Sequence, residues 1–168
     1  MDVPAFDESL RTGMRALDDQ HAWLFELAAR VCTMAGDCVL ASDAPSFANG
    51  EPCAPRVENA VTEAVYGLVD YITEHFADEQ QIMHASRYPL AETHASMHQE
   101  MSRQVAAFVV QFVNGDGVPA EQIAVFFTRW LRDHIMRHDR EFVGWLAAHP
   151  PPAPVPVPTP GTAAPTGA

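Results

Sequence analysis

Cysteine is scarce in this chain of 168 residues: Cys32, Cys38 and Cys53 form an odd set with no Cys-x-x-Cys pair. That argues against both a disulfide framework and a zinc ribbon, and leaves reduced thiols as the simple reading. Basic residues are also few, ten Lys and Arg against 22 Asp and Glu, for a formal charge of -12. Nucleic acid and anionic membrane both require clustered positive charge, so neither is expected as a partner. No apolar run is long enough to span a bilayer, and the acidic opening MDVPAFDESL lacks the apolar stretch of a secretory signal. The expectation is a cytoplasmic protein with no membrane insertion.

What is present suits a compact core: 48% of the residues are apolar and 19% charged. Leu17, Leu24, Leu27, Ala28 and Val31 recur with a helical period, which predicts a first helix from Arg15 to about Met34. Residues 36–55 are rich in Gly, Pro, Ser and Asn and read as a long connection. Pro55 can open a second helix, carried by Val61, Val65, Leu68, Ile72 and Phe76 to about Ser86. Tyr88-Pro89 interrupts it, and a third run from Leu90 to about Val113 ends at Asn114-Gly115. Pro119 starts a fourth, with Ile123, Phe127, Trp130, Leu131, Ile135 and Phe142 on one side, ending before Pro150. The fold class expected is all-α, an up-down-up-down four-helix bundle spanning 1–149. Residues 150–168, rich in Pro and Ala, form a tail expected to be extended and disordered.

Eight histidines are unevenly spread, and five of them fall beside the apolar stripes together with carboxylates. His75 and Glu79 stand four apart on the second helix, about 40° from each other around its axis, so both can reach one metal. His94 and His98 repeat the spacing on the third helix. On the fourth, His134 follows Trp130 and Leu131. Its partner is ambiguous on spacing alone: His138 lies four residues on and is the choice regular spacing favours, whereas Asp139 lies five on, about 140° around an ideal helix. His21 sits one turn before Leu24 on the first helix. A single spacing of four is common by chance, and the force of the pattern comes from candidate ligands on all four helices together.

The strings LDDQH, HFADEQQIM, YPLAETHASMH and WLRDHIMRHD resemble the four ligand segments of hemerythrins, in the same order, across Phe6 to Leu146. The resemblance implies two iron ions, a non-heme di-iron centre with an oxo or hydroxo bridge. It places His94, His98 and His134 on one iron, His21 and His75 on the other, and Glu79 and Asp139 across both. It thereby favours Asp139 over His138, leaving His84, His138 and His149 as surface histidines. Three histidines then complete six ligands at one iron and two complete five at the other, and the open position is where dioxygen would bind. The family's pocket positions fall on Leu24, Phe76, Trp130, Leu131 and Ile135, all apolar, with no acid or base among them. Phe6 stands where the family often has Trp, and Met101 where it often has an aromatic residue; both keep an apolar group.

The function implied is reversible dioxygen binding, by a carrier rather than an enzyme, with an oxygen-consuming enzyme as a possible recipient. A di-iron oxidase, peroxidase or nitric-oxide-handling enzyme on the same bundle is the first alternative, and would need a proton donor beside the open iron. An oxygen- or iron-sensing interaction module, acting through the 36–55 connection or the tail, is the second. A ferritin-like carboxylate site is disfavoured because only one acidic-x-x-His motif, Asp18 to His21, is found. Seven ligands exceed what one tetrahedral zinc uses.

Overall fold

In the computed structural model, which describes residues 5–42 and 55–150, the chain is an all-α four-helix bundle. The helices are α1 (Arg15–Ser42), α2 (Pro55–Ser86), α3 (Ala91–Asn114) and α4 (Ala120–His134). A π-helical turn at Ile135–Asp139 continues α4 directly into α5 (Arg140–Ala148), so these three pieces form the fourth rod of the bundle. Helix α1 packs on α2 and α4, and α3 packs on the same two, which closes the ring of four.

Local chemistry sets most boundaries. Gly115 adopts φ 74, and its N–H reaches the carbonyls of Gln111 and Phe112, closing α3 in the left-handed conformation that only glycine adopts at no steric cost. Between α2 and α3 the N–H of Tyr88 returns to the carbonyl of Met83 at 2.9 Å, and the following proline cannot continue the helix. Helix α1 departs from expectation: it runs on through Gly36 to Ser42 instead of ending near Met34. One interior glycine costs only about 1 kcal/mol against alanine, and no proline follows it before Pro45, so the ladder has donors to continue. The remaining connection, 43–54 with Cys53, and the Pro-rich stretch from 151 onward lie outside the described residues.

Two apolar clusters fill the bundle. The larger contains Leu24, Ala28, Val31, Val61, Val65, Leu68, Ile72, Phe76, Met101, Val105, Ile123, Phe127, Leu131 and Ile135. The smaller is built on Leu17, Met83, Tyr88, Ala91 and Phe142. On each rod the histidines and carboxylates singled out above fall in sequence between a residue of one cluster and a residue of the other. They form a polar layer sandwiched between apolar ones.

The N-terminal segment is pinned to the bundle, with Leu10 and Phe6 packed into the larger cluster. Asp18, only 3% exposed, accepts from the Thr12 N–H at 2.7 Å, the Thr12 hydroxyl at 2.8 Å and the Gly13 N–H at 3.2 Å. Arg140 on α5 donates to the backbone carbonyls of Ser9 and Arg11. Residues 9–13 are thus tied to the first and the fourth rods.

Candidate metal centre

Seven ionisable side chains, His21, His75, Glu79, His94, His98, His134 and Asp139, meet in the polar layer, each no more than 3% exposed. The Nε2 atoms of His94, His98 and His134 form a triangle with edges of 3.1, 3.0 and 2.7 Å. Three imidazole nitrogens at that spacing cannot satisfy one another as donors and acceptors, because each neutral ring has only one N–H. They converge as ligands do around a cation. Glu79 joins them: its Oε2 is 3.3 Å from the Nε2 of both His94 and His98. The candidate ligand atoms of Glu79, His94, His98 and His134 all lie within 4.8 Å of one another.

The opposite side of the layer holds His21 and His75, with ring centroids 4.8 Å apart and edge-to-face. Asp139 spans the two sides. Its Oδ1 lies 3.0 Å from His134 and 3.3 Å from His94, while its Oδ2 lies 3.2 Å from His21. One carboxylate thus offers a different oxygen to each group of histidines.

The π turn explains how a residue five positions after His134 reaches the same site. In an α-helix that spacing would rotate Asp139 well away from His134, but the Arg140 N–H bonds the Ile135 carbonyl, an i→i+5 closure that adds a residue to the turn. Five residues then complete about one turn, as four do elsewhere. Asp139 is fully buried at 0% exposed and faces inward with His134. His138, the partner that regular spacing would favour, is half-buried beside the site, with its ring centroid 5.3 Å from that of His134 and 6.2 Å from that of His94. It is therefore not the surface residue expected of it. His84 and His149 are exposed.

Electrostatics make the layer costly by itself. Both nitrogens of His21, Nε2 of His75 and all four oxygens of Glu79 and Asp139 are buried with no hydrogen bond of acceptable geometry. An orphaned buried polar group costs about 1–3 kcal/mol, more if charged, so this set calls for a partner. Burial, reinforced by the neighbouring His21, pushes His75 down to about 3. Burial and the other two imidazoles of the triangle push His98 down to about 2. Burial likewise lowers His134, partly offset by Asp139. For His94 burial is outweighed by the carboxylates of Asp139 and Glu79, which raise it to about 9. Burial, with Asp139 nearby, raises Glu79, whereas for Asp139 burial is overcome by the three facing imidazoles and its carboxyl is held low. Neutral imidazoles and an ionised carboxylate are the forms that donate lone pairs to a metal, and this N/O donor set suits borderline divalent ions such as iron. The residues fit the metal that the resemblance implies.

An outer contact orients His75. Nδ1 of His75 meets Oε1 of Gln20 at 3.0 Å, which makes Nδ1 the protonated nitrogen and leaves Nε2 to face the layer. Gln20 is itself held by Asp78 at 2.8 Å. The side-chain amide of Gln80 meets Nδ1 of His98 at 3.3 Å. Sequence reasoning did not single out Gln20 or Gln80, although the Asp-Gln-His string and the Gln one residue after Glu79 are readable as candidate partners. Of the apolar pocket positions, Leu24, Leu131 and Ile135 are fully buried in the larger cluster. Phe76 stacks on His98 at 3.8 Å between centroids, and Trp130 stacks on His134 at 4.3 Å. Those two rings therefore cover the three-histidine side.

Residues 12–146 match the family model described as the hemerythrin HHE cation binding domain. The chain belongs to the hemerythrin family. A bacteriohemerythrin of Stenotrophomonas maltophilia is 30% identical over 90 residues, covering 54% of this chain and 58% of that relative's length. A bacteriohemerythrin of Pseudomonas paraeruginosa is 28% identical over 138 residues, 82% of this chain and 78% of its own. Myohemerythrin-1 of Phascolopsis gouldii is 26% identical over 149 residues, 86% of this chain and 98% of its own. Membership in the hemerythrin family carries a metal site, and the histidine and glutamate cluster is where this chain can hold it. No helix among the described residues is long and apolar enough to cross a membrane.

Proposed function

We propose that this hemerythrin binds dioxygen reversibly at a non-heme di-iron centre, as a carrier, store or delivery protein and not as an enzyme. The observation that carries the reading is the asymmetry of the layer. Three histidines gather on one side, two on the other, and Asp139 presents one oxygen to each. His94, His98 and His134 would hold one iron, His21 and His75 the second, and Glu79 and Asp139 both. Bound there, iron would supply a reducing centre for dioxygen.

The chain's own residues favour release over reaction. Leu24, Leu131 and Ile135 are fully buried and the layer is closed above and below by apolar clusters, so water and protons have restricted access. No side chain in the pocket set can donate a proton. Two carboxylates against five imidazoles give a less electron-rich donor set than a carboxylate-dominated one, which supports reversible binding.

The test is an optical spectrum of the iron-loaded protein, reduced without oxygen, exposed to air, then purged with inert gas. A visible band that appears in air and disappears on purging is expected. Irreversible oxidation at first exposure, or no band, refutes reversible binding and turns attention to a di-iron oxidase or peroxidase.

A further inference from the structure

All seven residues of the layer are at most 3% exposed, so a hydrated metal ion has no direct way in. One cavity of about 180 Å³ comes up against them. Its walls include Tyr88, Met97, His138 and Glu141, and at its inner end His94 of the three-histidine set. Exposure falls along this line: Glu141 is exposed, His138 half-buried, and His94 2% exposed. Glu141 follows His138 by three residues, in the first turn of α5, which puts both on one face. The donors thus run from a surface carboxylate, through an imidazole, to the site.

We propose that His138 is the handover ligand through which ferrous ion enters the centre, with Glu141 as the outer capture group. This rests on the metal centre of the proposed function but not on dioxygen binding. Glu141 displaces one water from the hydrated ion, His138 then displaces Glu141, and His94, giving up its proton to water, displaces His138 as the ion passes inward. Each exchange forms one ligand bond and breaks one; no electron moves. His138 suits the task because it stands apart from the triangle yet close to it, 5.3 Å from His134 and 6.2 Å from His94 between ring centroids. A wider cavity of about 470 Å³ reaches His98 from between α2 and α3. It offers no such step, because Phe76 stacks over His98 and Gln80 occupies its Nδ1.

A port changes rates without changing the equilibrium. Metal-free full-length protein, checked for helicity by circular dichroism, is mixed anaerobically with ferrous sulfate. Uptake is followed by tryptophan fluorescence, for which Trp130, stacked on His134, is a built-in reporter. Release from the loaded protein to a chelator is timed in parallel, which needs no stable metal-free state. His138→Ala and His138→Gln should slow uptake and release by the same factor, with iron stoichiometry and affinity unchanged. Glu141→Gln should slow uptake less, and Glu92→Gln at the wider cavity should leave it unaltered. Added imidazole should restore His138→Ala in part.

Unaltered rates in both His138 variants overturn the proposal while leaving the iron centre standing. So does slowing by Glu92→Gln alone. Loss of an iron or of affinity in the variants overturns it in another way, by making His138 a resident ligand. Failure of the unaltered protein to take up iron overturns the metal centre itself.

Discussion

Replacing Asp139 by Asn tests, without metal, the carboxylate that spans the two histidine groups, through the ion pair it makes with His94. The two lie 3.3 Å apart and are almost wholly buried. The carboxylates of Asp139 and Glu79 lift His94 from 6.5 to about 9, which at 1.36 kcal/mol per pH unit corresponds to about 3 kcal/mol. Asp139 is the leading carboxylate partner, so roughly 2 kcal/mol rests on it. A folded-state value above the unfolded one contributes stability that is fully present below 6.5 and is lost as pH rises through about 9. Metal-free Asp139→Asn should therefore melt about 4–8 °C below the parent chain at pH 6, and the gap should close by about pH 10. Thermal melts followed by circular dichroism across that range provide the assay. Equal melting at pH 6, or a gap that persists unchanged at pH 10, would refute the pairing of Asp139 with a protonated His94.

Gln20 orients His75, so Gln20→Leu should weaken metal binding about 10–100-fold in competition with a chelator, with little effect on helicity. Leu131 is fully buried at the edge of the polar layer, and Leu131→Ala should cost about 2–5 kcal/mol in urea titration. The same variant should also speed irreversible oxidation of the iron-loaded protein, read from the decay of its oxygenated spectrum. Burial holds His75 at about 3 and His98 at about 2, so the unfolded chain takes up protons that the folded chain refuses. Stability of the metal-free protein should fall as pH drops from 6.5 toward 3, by up to about 1.4 kcal/mol per pH unit for each histidine. A urea midpoint that rises on acidification would contradict this.

The bundle was legible because apolar residues repeat with a helical period on every rod and because Pro55, Asn114-Gly115 and Pro119 punctuate it at or beside the observed ends. The end of α1 was not, since a Gly followed by Asp and Cys resembles the start of a connection, and local composition cannot weigh one glycine against a helix already propagating. Spacing on α2 and α3 brought out His75, Glu79, His94 and His98, because those helices are regular. On the fourth rod it favoured His138, whereas Asp139 is the residue that turns inward. A π turn has no composition of its own, and its backbone shift is visible only in three dimensions or through a family resemblance. The position of His138 was misjudged for the same reason: the extra residue that turns Asp139 inward leaves His138 beside the site and not on open surface.

That extra residue decides the charge of the centre. Were α4 to continue as a regular helix, the position inward with His134 would fall to His138, and the layer would hold six imidazoles and one carboxylate. Cations held there would then face a single buried anion, in surroundings where burial already disfavours charge on His75, His98 and His134. With Asp139 inward a second anion enters, and its two oxygens address the two histidine groups separately. Without metal the same arrangement leaves seven buried polar atoms unsatisfied, a burden that the apolar clusters on either side must carry. Metal binding and stability are therefore linked through one turn of helix, and a metal that satisfies those atoms should raise the melting temperature by mass action on the folded state. The π turn is the local irregularity by which an otherwise regular bundle brings a second carboxylate into its histidine layer.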